Sequence, residues 1–214
     1  MSPLFYTEEL LGNAQNANRL LIMMHGYGSH ENDLIGLAPL LPQQFKVISL
    51  RAPHRLPWGG FAWYSLDFTD NGIRTNVAQA LETLDSLEES LPKWAEEKDC
   101  NPNEIWLMGF SQGSILSLAL ALRCPKRLQG VIALSGYLNK DLLPQQMPQN
   151  ALANTHLFLA HGTQDDVIPI QWARESSKAL EQMKIAHHYR EYPLGHGINA
   201  QVMTDLSEWM KGHL

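Results

Sequence analysis

The chain has 214 residues, 44% hydrophobic and 18% charged, which suits one globular domain over residues 1–214. Its formal net charge of -6 argues against a nucleic-acid partner, because binding phosphate requires basic surface. The longest apolar stretch, Ile115 to Leu122, is far shorter than the roughly 20 residues of a membrane span, so no stable membrane anchoring is expected.

The N-terminal segment holds Glu8, Glu9 and Asn13 and has no basic run ahead of an apolar one, so no secretory signal is expected. Two cysteines, Cys100 and Cys124, then read as free thiols of a reducing, cytoplasmic protein.

In chain order, Phe5–Leu10 reads as an antiparallel edge strand and Arg19–His25 as the first central strand, leading into His25-Gly26-Tyr27-Gly28. A helix is expected over Glu31–Leu41 and a strand over Lys46–Arg51. The aromatic segment Pro57-Trp58-Gly59-Gly60-Phe61-Ala62-Trp63-Tyr64 follows. In the long helix Thr75–Lys98, Val77, Leu81, Leu84, Leu87, Leu91 and Trp94 recur at steps of three and four and form one apolar stripe, with Pro92 expected to kink its last turns. Strand Glu104–Phe110 runs through a glycine-flanked serine into a Leu/Ala-rich helix, Gln112–Arg123. Strands Gln129–Leu134, His156–His161 and His188–Tyr192 then alternate with helices Ile170–Met183 and Ala200–Lys211. Such alternation predicts an α/β fold: a mostly parallel central sheet of about seven strands with helices on both faces. Sites in such sheets form at the carboxyl ends of the strands.

Gly109-Phe110-Ser111-Gln112-Gly113 sits at a strand–turn–helix junction, the context a G-x-S-x-G elbow requires. The tight turn excludes side chains at Gly109 and Gly113, and the helix N-terminus behind Ser111 favours developing negative charge. A serine hydroxyl is a weak nucleophile at neutral pH and needs a histidine base oriented by an acid. In chain order the acid and then the histidine should follow the serine. Asp165 and Asp166, at the end of strand His156–His161, are both candidates for the acid. Of nine histidines, His196 stands in a glycine-flanked loop after the last strand and is the candidate base. His25 and His161, at strand ends beside glycines, suit packing and hydrogen bonding around the site. His187 and His188 would point to opposite faces of a strand, and no spacing resembles a zinc site. The oxyanion donors would be the backbone N–H groups of Gln112 and Tyr27.

Together these motifs resemble the phospholipase/carboxylesterase group of α/β-hydrolases, which includes acyl-protein thioesterases. The resemblance is carried by His25-Gly26-Tyr27-Gly28, Gly109 to Gly113, Ser135-Gly136-Tyr137-Leu138, His161-Gly162 through Asp165 to Ile168-Pro169, and Gly195-His196, in the family's order. It implies an α/β-hydrolase without a large lid domain, Ser111 as nucleophile, His196 as base, and Tyr27 and Gln112 as oxyanion donors. It selects Asp165 over Asp166, since the family acid stands three residues after the glycine matched by Gly162. Thr163 departs from the aspartate often found at its position. The resemblance further implies chemistry without metal or cofactor, a small-molecule ester or acyl substrate, and the option of a homodimer, which many members form.

The aromatic segment has two readings. It lines an apolar acyl pocket, with Trp58, Phe61 and Trp63, and Ile168 beside the acid, touching substrate, or it fills a small core beneath a long loop. A serine carboxylesterase acting on small to medium esters is the expected function. An acyl-protein thioesterase or lysophospholipase would use the same residues on long acyl chains.

Overall fold

A computed structural model describes residues 6–10, 17–69, 72–146, 152 and 154–214. Its seven-stranded sheet has the order β1-β3-β2-β8-β9-β10-β11. The strands are β1 (Tyr6–Leu10), β2 (Arg19–Met24), β3 (Phe45–Leu50), β8 (Ile105–Phe110), β9 (Leu128–Leu134), β10 (His156–Gly162) and β11 (His188–Tyr192). Within the sheet only β1 runs antiparallel, pairing Tyr6 with Leu50 on β3, and all other neighbours are parallel. The expected edge strand is therefore present over Tyr6–Leu10, while Phe5 lies outside the described residues.

Strands buried on both faces read as continuous apolar runs, and β2 shows why. Leu20, Ile22 and Met24 face α1 (Val77–Glu97), α2 (Gln112–Arg123) and α3 (Ile170–Gln182). Leu21 and Met23 face α4 (Ala200–Lys211) and a 3-10 helix, Ile35–Leu40. The stripe of α1 is buried at Ala80, Leu84, Leu87, Leu91 and Trp94. Asn76 caps that helix by accepting from Gln79 N at 3.1 Å. α1 runs as one helix through Pro92 to Glu97.

The helix expected over Glu31–Leu41 is replaced by turns and the short 3-10 helix. Pro39 lacks the donor an α-helix would need at that position. The turns before it take local bonds instead: Ser29 Oγ donates to Asp33 at 2.7 Å, and Asn32 N to His30 Nδ1 at 3.2 Å. Two antiparallel pairs, β4 (His54–Arg55) with β5 (Phe61–Ala62) and β6 (Leu66–Thr69) with β7 (Gly72–Thr75), fill the connection between β3 and α1. Thr75 belongs to the second pair, so α1 begins two residues later than the sequence reading placed it.

From β2 the chain steps outward to β3, then crosses back through α1 to β8 on the other side of β2. The strand order reverses between β2 and β8, and crevices open outside the carboxyl ends of strands at such a point. Met24 pairs with Gly109 there, so the segment after β2 emerges beside the segment after β8.

Candidate active site

β8 ends at Phe110, and Ser111 adopts φ 51°, ψ −116° before α2 starts at Gln112. A positive φ at a residue with a side chain costs on the order of 1–3 kcal/mol and persists only where the surroundings impose it. Here the close approach of helix and strands imposes it. A Cβ on Gly109 would lie 2.3 Å from Gly113 O, and one on Gly113 would lie 2.1 Å from Met24 O. Ser111 N donates to Leu134 O at 2.9 Å, pinning the turn to β9.

The loops after β10 and β11 close over this turn. Thr163 N donates to Tyr192 O at 2.8 Å and Gln164 N to Leu194 O at 3.0 Å, so the two loops are joined through their main chains. They bring together the three side chains singled out in the sequence. His196 Nδ1 donates to Asp165 Oδ2 at 2.7 Å, and Ser111 Oγ donates to His196 Nε2 at 2.9 Å. Asp165 Oδ1 accepts from Val167 N at 2.9 Å and Ile168 N at 2.8 Å. The Asp165 side chain has no exposed surface, whereas Asp166 is exposed. Phe110 packs against the His196 ring at 4.9 Å between centroids. An imidazole that donates from Nδ1 presents Nε2 as an acceptor to the hydroxyl, which is the state able to take a proton from it.

His161, buried on β10, donates from Nε2 to Ile168 O at 2.8 Å and lies 3.2 Å from Asp165 Oδ2. Its Nδ1 has no partner among the described residues. His25 donates from Nδ1 to Gly26 O at 2.7 Å and accepts from Ala52 N at 3.1 Å, which fixes a neutral tautomer. Burial holds its pKa below the ordinary histidine value. His187, just ahead of β11, shares a 2.7 Å hydrogen bond with Ser177, while His188, the first residue of β11, stacks on Phe158. Among the described residues no cluster of His, Cys, Asp and Glu is arranged to hold a metal ion. Burial raises the Cys100 thiol pKa and pushes that of Cys124 up to about 12.

The backbone N–H groups of Tyr27 and Gln112 take no partner among the described residues. Segment 61–64 runs between them and touches both neighbourhoods. Trp63 Nε1 donates to His25 O at 2.8 Å, Gly28 N to Phe61 O at 2.9 Å, and Phe61 N to Ser29 O at 2.8 Å. The Gln112 side chain accepts from Trp63 N at 2.8 Å and donates to Tyr64 O at 2.7 Å. The approach is close enough that a Cβ on Gly60, itself at φ +73°, would lie 1.9 Å from Gly28 O.

The aromatic residues therefore divide. Trp63 and Tyr64 are wholly buried in the core beneath α1, so Trp63 has no surface to offer an acyl chain. Phe61 is half-buried under Arg51, Ile168 is buried close to Asp165, and Trp58 is 71% exposed. The sequence reading missed the clamping role of the Gln112 side chain and the ion pair of Glu31 with Arg51. The second was concealed by the helix expected at Glu31. The first left a signal, a polar side chain at the start of an otherwise apolar helix.

A mostly parallel sheet with a serine elbow at its switch point and no large lid defines an α/β-hydrolase. The profile of the Phospholipase/Carboxylesterase family matches residues 7–214, and the chain belongs to that family. It is 27% identical to acyl-protein thioesterase 1 of Kluyveromyces lactis over 92% of each chain. It is 28% identical to lysophospholipase-like protein 1 of Mus musculus over 78% of this chain and 73% of that one. Among solved structures, esterase PE8 superposes with a TM-score of 0.82 at 25% identity, covering 99% of both chains. The protein is accordingly a hydrolase of the esterase and thioesterase kind. Among the described residues no helix is long and apolar enough to cross a membrane.

Proposed function

We propose that the protein is a serine carboxylesterase acting on small to medium acyl esters through Ser111, His196 and Asp165. The observation that carries this reading is the unbroken chain of bonds from Ser111 Oγ to His196 Nε2 at 2.9 Å and from His196 Nδ1 to Asp165 at 2.7 Å. Ser111 Oγ attacks the ester carbonyl and its proton passes to His196 Nε2, while buried Asp165 balances the imidazolium. The oxyanion forms between the N–H groups of Tyr27 and Gln112. His196 returns the proton to the departing alcohol. It then takes one from the water that attacks the acyl-enzyme and gives it to Ser111 Oγ as the acyl–oxygen bond breaks and the acid leaves. Wholly buried Trp63 and Tyr64, filling the space beneath the aromatic segment, favour a short acyl pocket, with Trp58, Phe61 and Ile168 left as its candidate walls.

The thioesterase or lysophospholipase reading uses the same residues and is favoured by the names of the two relatives. Hydrolysis of p-nitrophenyl esters from acetate to palmitate, with Ser111→Ala beside wild type, separates the two. A short-chain maximum lost in the variant is the expected result. A long-chain maximum selects the second reading, and turnover retained by Ser111→Ala overturns both.

A further inference from the structure

We propose that the ion pair Glu31–Arg51 is a latch that sets the Tyr27 N–H, making both side chains positioning residues for the hydrolytic reaction. The inference rests on the reading of Tyr27 as an oxyanion donor.

The latch is a continuous set of contacts. Glu31 is only 4% exposed, on the turn that follows the Tyr27 loop. Its carboxylate takes both arms of Arg51, Nε at 2.6 Å and Nη2 on the other oxygen. Arg51 follows β3 directly, and its guanidinium lies over the Phe61 ring, 4.8 Å from the centroid. The Phe61 main chain makes the two hydrogen bonds that hold Gly28 and Ser29, immediately after Tyr27. Tyr27 stands in a turn that Ser29 N closes by donating to Gly26 O at 3.3 Å; Gly26, whose Cβ position would lie 3.3 Å from Ser111 Cβ, abuts the serine, and beyond the turn the isolated bridge to Phe61 ties the loop down.

A bridge of two hydrogen bonds between glycine-rich turns is a weak restraint. A planar guanidinium that is bidentate to a buried carboxylate and seated over an aromatic ring is a rigid one. Buried ion pairs add little net stability, because desolvation offsets the attraction; what they supply is a fixed geometry. The Arg51 side chain keeps 34% of its surface in water, so Glu31→Gln leaves a hydrated charge and should move the loop rather than unfold the domain, whereas Arg51→Met strands a buried carboxylate and is the more destabilising of the two. Arg51 also keeps the Glu31 carboxyl below its usual range, so the pair stays charged throughout the neutral region.

The test compares Arg51→Met, Arg51→Lys and Glu31→Gln with wild type on p-nitrophenyl acetate, with thermal melting of each and inhibition by phenylboronic acid. Phenylboronic acid adds to the serine and presents a boronate oxygen to the oxyanion donors. Deleting an oxyanion donor outright costs roughly a hundredfold to a thousandfold in kcat, so displacing one should cost about tenfold to a hundredfold with KM changed by less than about threefold. Boronate affinity should fall in step with kcat. Arg51→Lys should remain impaired, since an ammonium supplies charge without the planar fork. The proposal is overturned if kcat stays within about twofold of wild type in Arg51→Met and Glu31→Gln. It is also overturned if kcat falls while boronate affinity holds, or if both variants fail to fold, since the pair would then be structural. Ser111→Ala run alongside separates the failures. Turnover without Ser111 removes the underlying reading, whereas a requirement for Ser111 with unimpaired Arg51→Met removes only the latch.

Discussion

On the side of β10 and β11, the loops carrying Asp165 and His196 are joined through main-chain atoms, Thr163 N to Tyr192 O and Gln164 N to Leu194 O. On the side of β2 and β3, the Tyr27 loop is held partly by side chains: Trp63 Nε1 on His25 O, Gln112 on residues 63 and 64, and Arg51 between Glu31 and Phe61. Main-chain ties survive most substitutions, whereas side-chain ties last only as long as the particular residues. The half bearing the proposed acid and base is thus set by the course of the chain. The half bearing the proposed oxyanion donors depends on a handful of side chains outside the reacting group.

Three measurements would break or sharpen that contrast. The largest effect is expected from Asp165→Asn, which keeps an acceptor for Val167 N and Ile168 N but turns an amide toward His196. The imidazole would then carry its proton on Nε2 and could not accept from Ser111, so kcat should drop by about 10⁴-fold with the fold intact. Steady-state kinetics decides it, and a drop of less than about tenfold would refute the assigned role. An intermediate effect is expected from Gln112→Ala, which leaves Trp63 N and Tyr64 O buried without partners. Stability measured by urea unfolding should fall by about 1–3 kcal/mol, and kcat should fall by about tenfold as the side bearing the proposed oxyanion donors loosens. Unchanged kcat with reduced stability would show that Gln112 serves the core alone.

The smallest effect concerns pH. Burial depresses the pKa values of His25, His156 and His188 in the folded protein. The unfolded chain therefore binds protons more readily, near the ordinary value of about 6.5. Stability contributed by their neutral forms should be fully present above that pH and decline as pH falls below it. Urea midpoints across pH 8 to 5 should show the fall, and a flat profile would contradict it.

The sheet, its parallel sense and its helices were legible because strands buried on both faces are written as apolar runs and α1 as a regular stripe. The meeting of Ser111, Asp165 and His196 was legible because each stands in a short motif tied to a strand end, and the loops that unite them are tied by backbone. Glu31–Leu41 was misread because its apolar spacing suits a helix, while Pro39 and the local bonds of Ser29 and His30 decide the outcome. The aromatic segment offered two readings because composition does not tell a pocket wall from a core filler. Burial separates exposed Trp58 from enclosed Trp63, and that distinction arises only when the chain folds back against His25. The pairing of Glu31 with Arg51 spans 20 positions and has no local signature.

The two cysteines have a practical consequence. Both are buried, and both thiols ionise only well above neutral pH. Since the thiolate is the reactive form, the wild-type chain is a chemically silent background for maleimide labelling. A single cysteine placed at exposed Trp58 would carry a dye at the tip of the β4–β5 hairpin. Its emission would report directly on whether that hairpin stays closed against the Tyr27 loop when an inhibitor occupies Ser111.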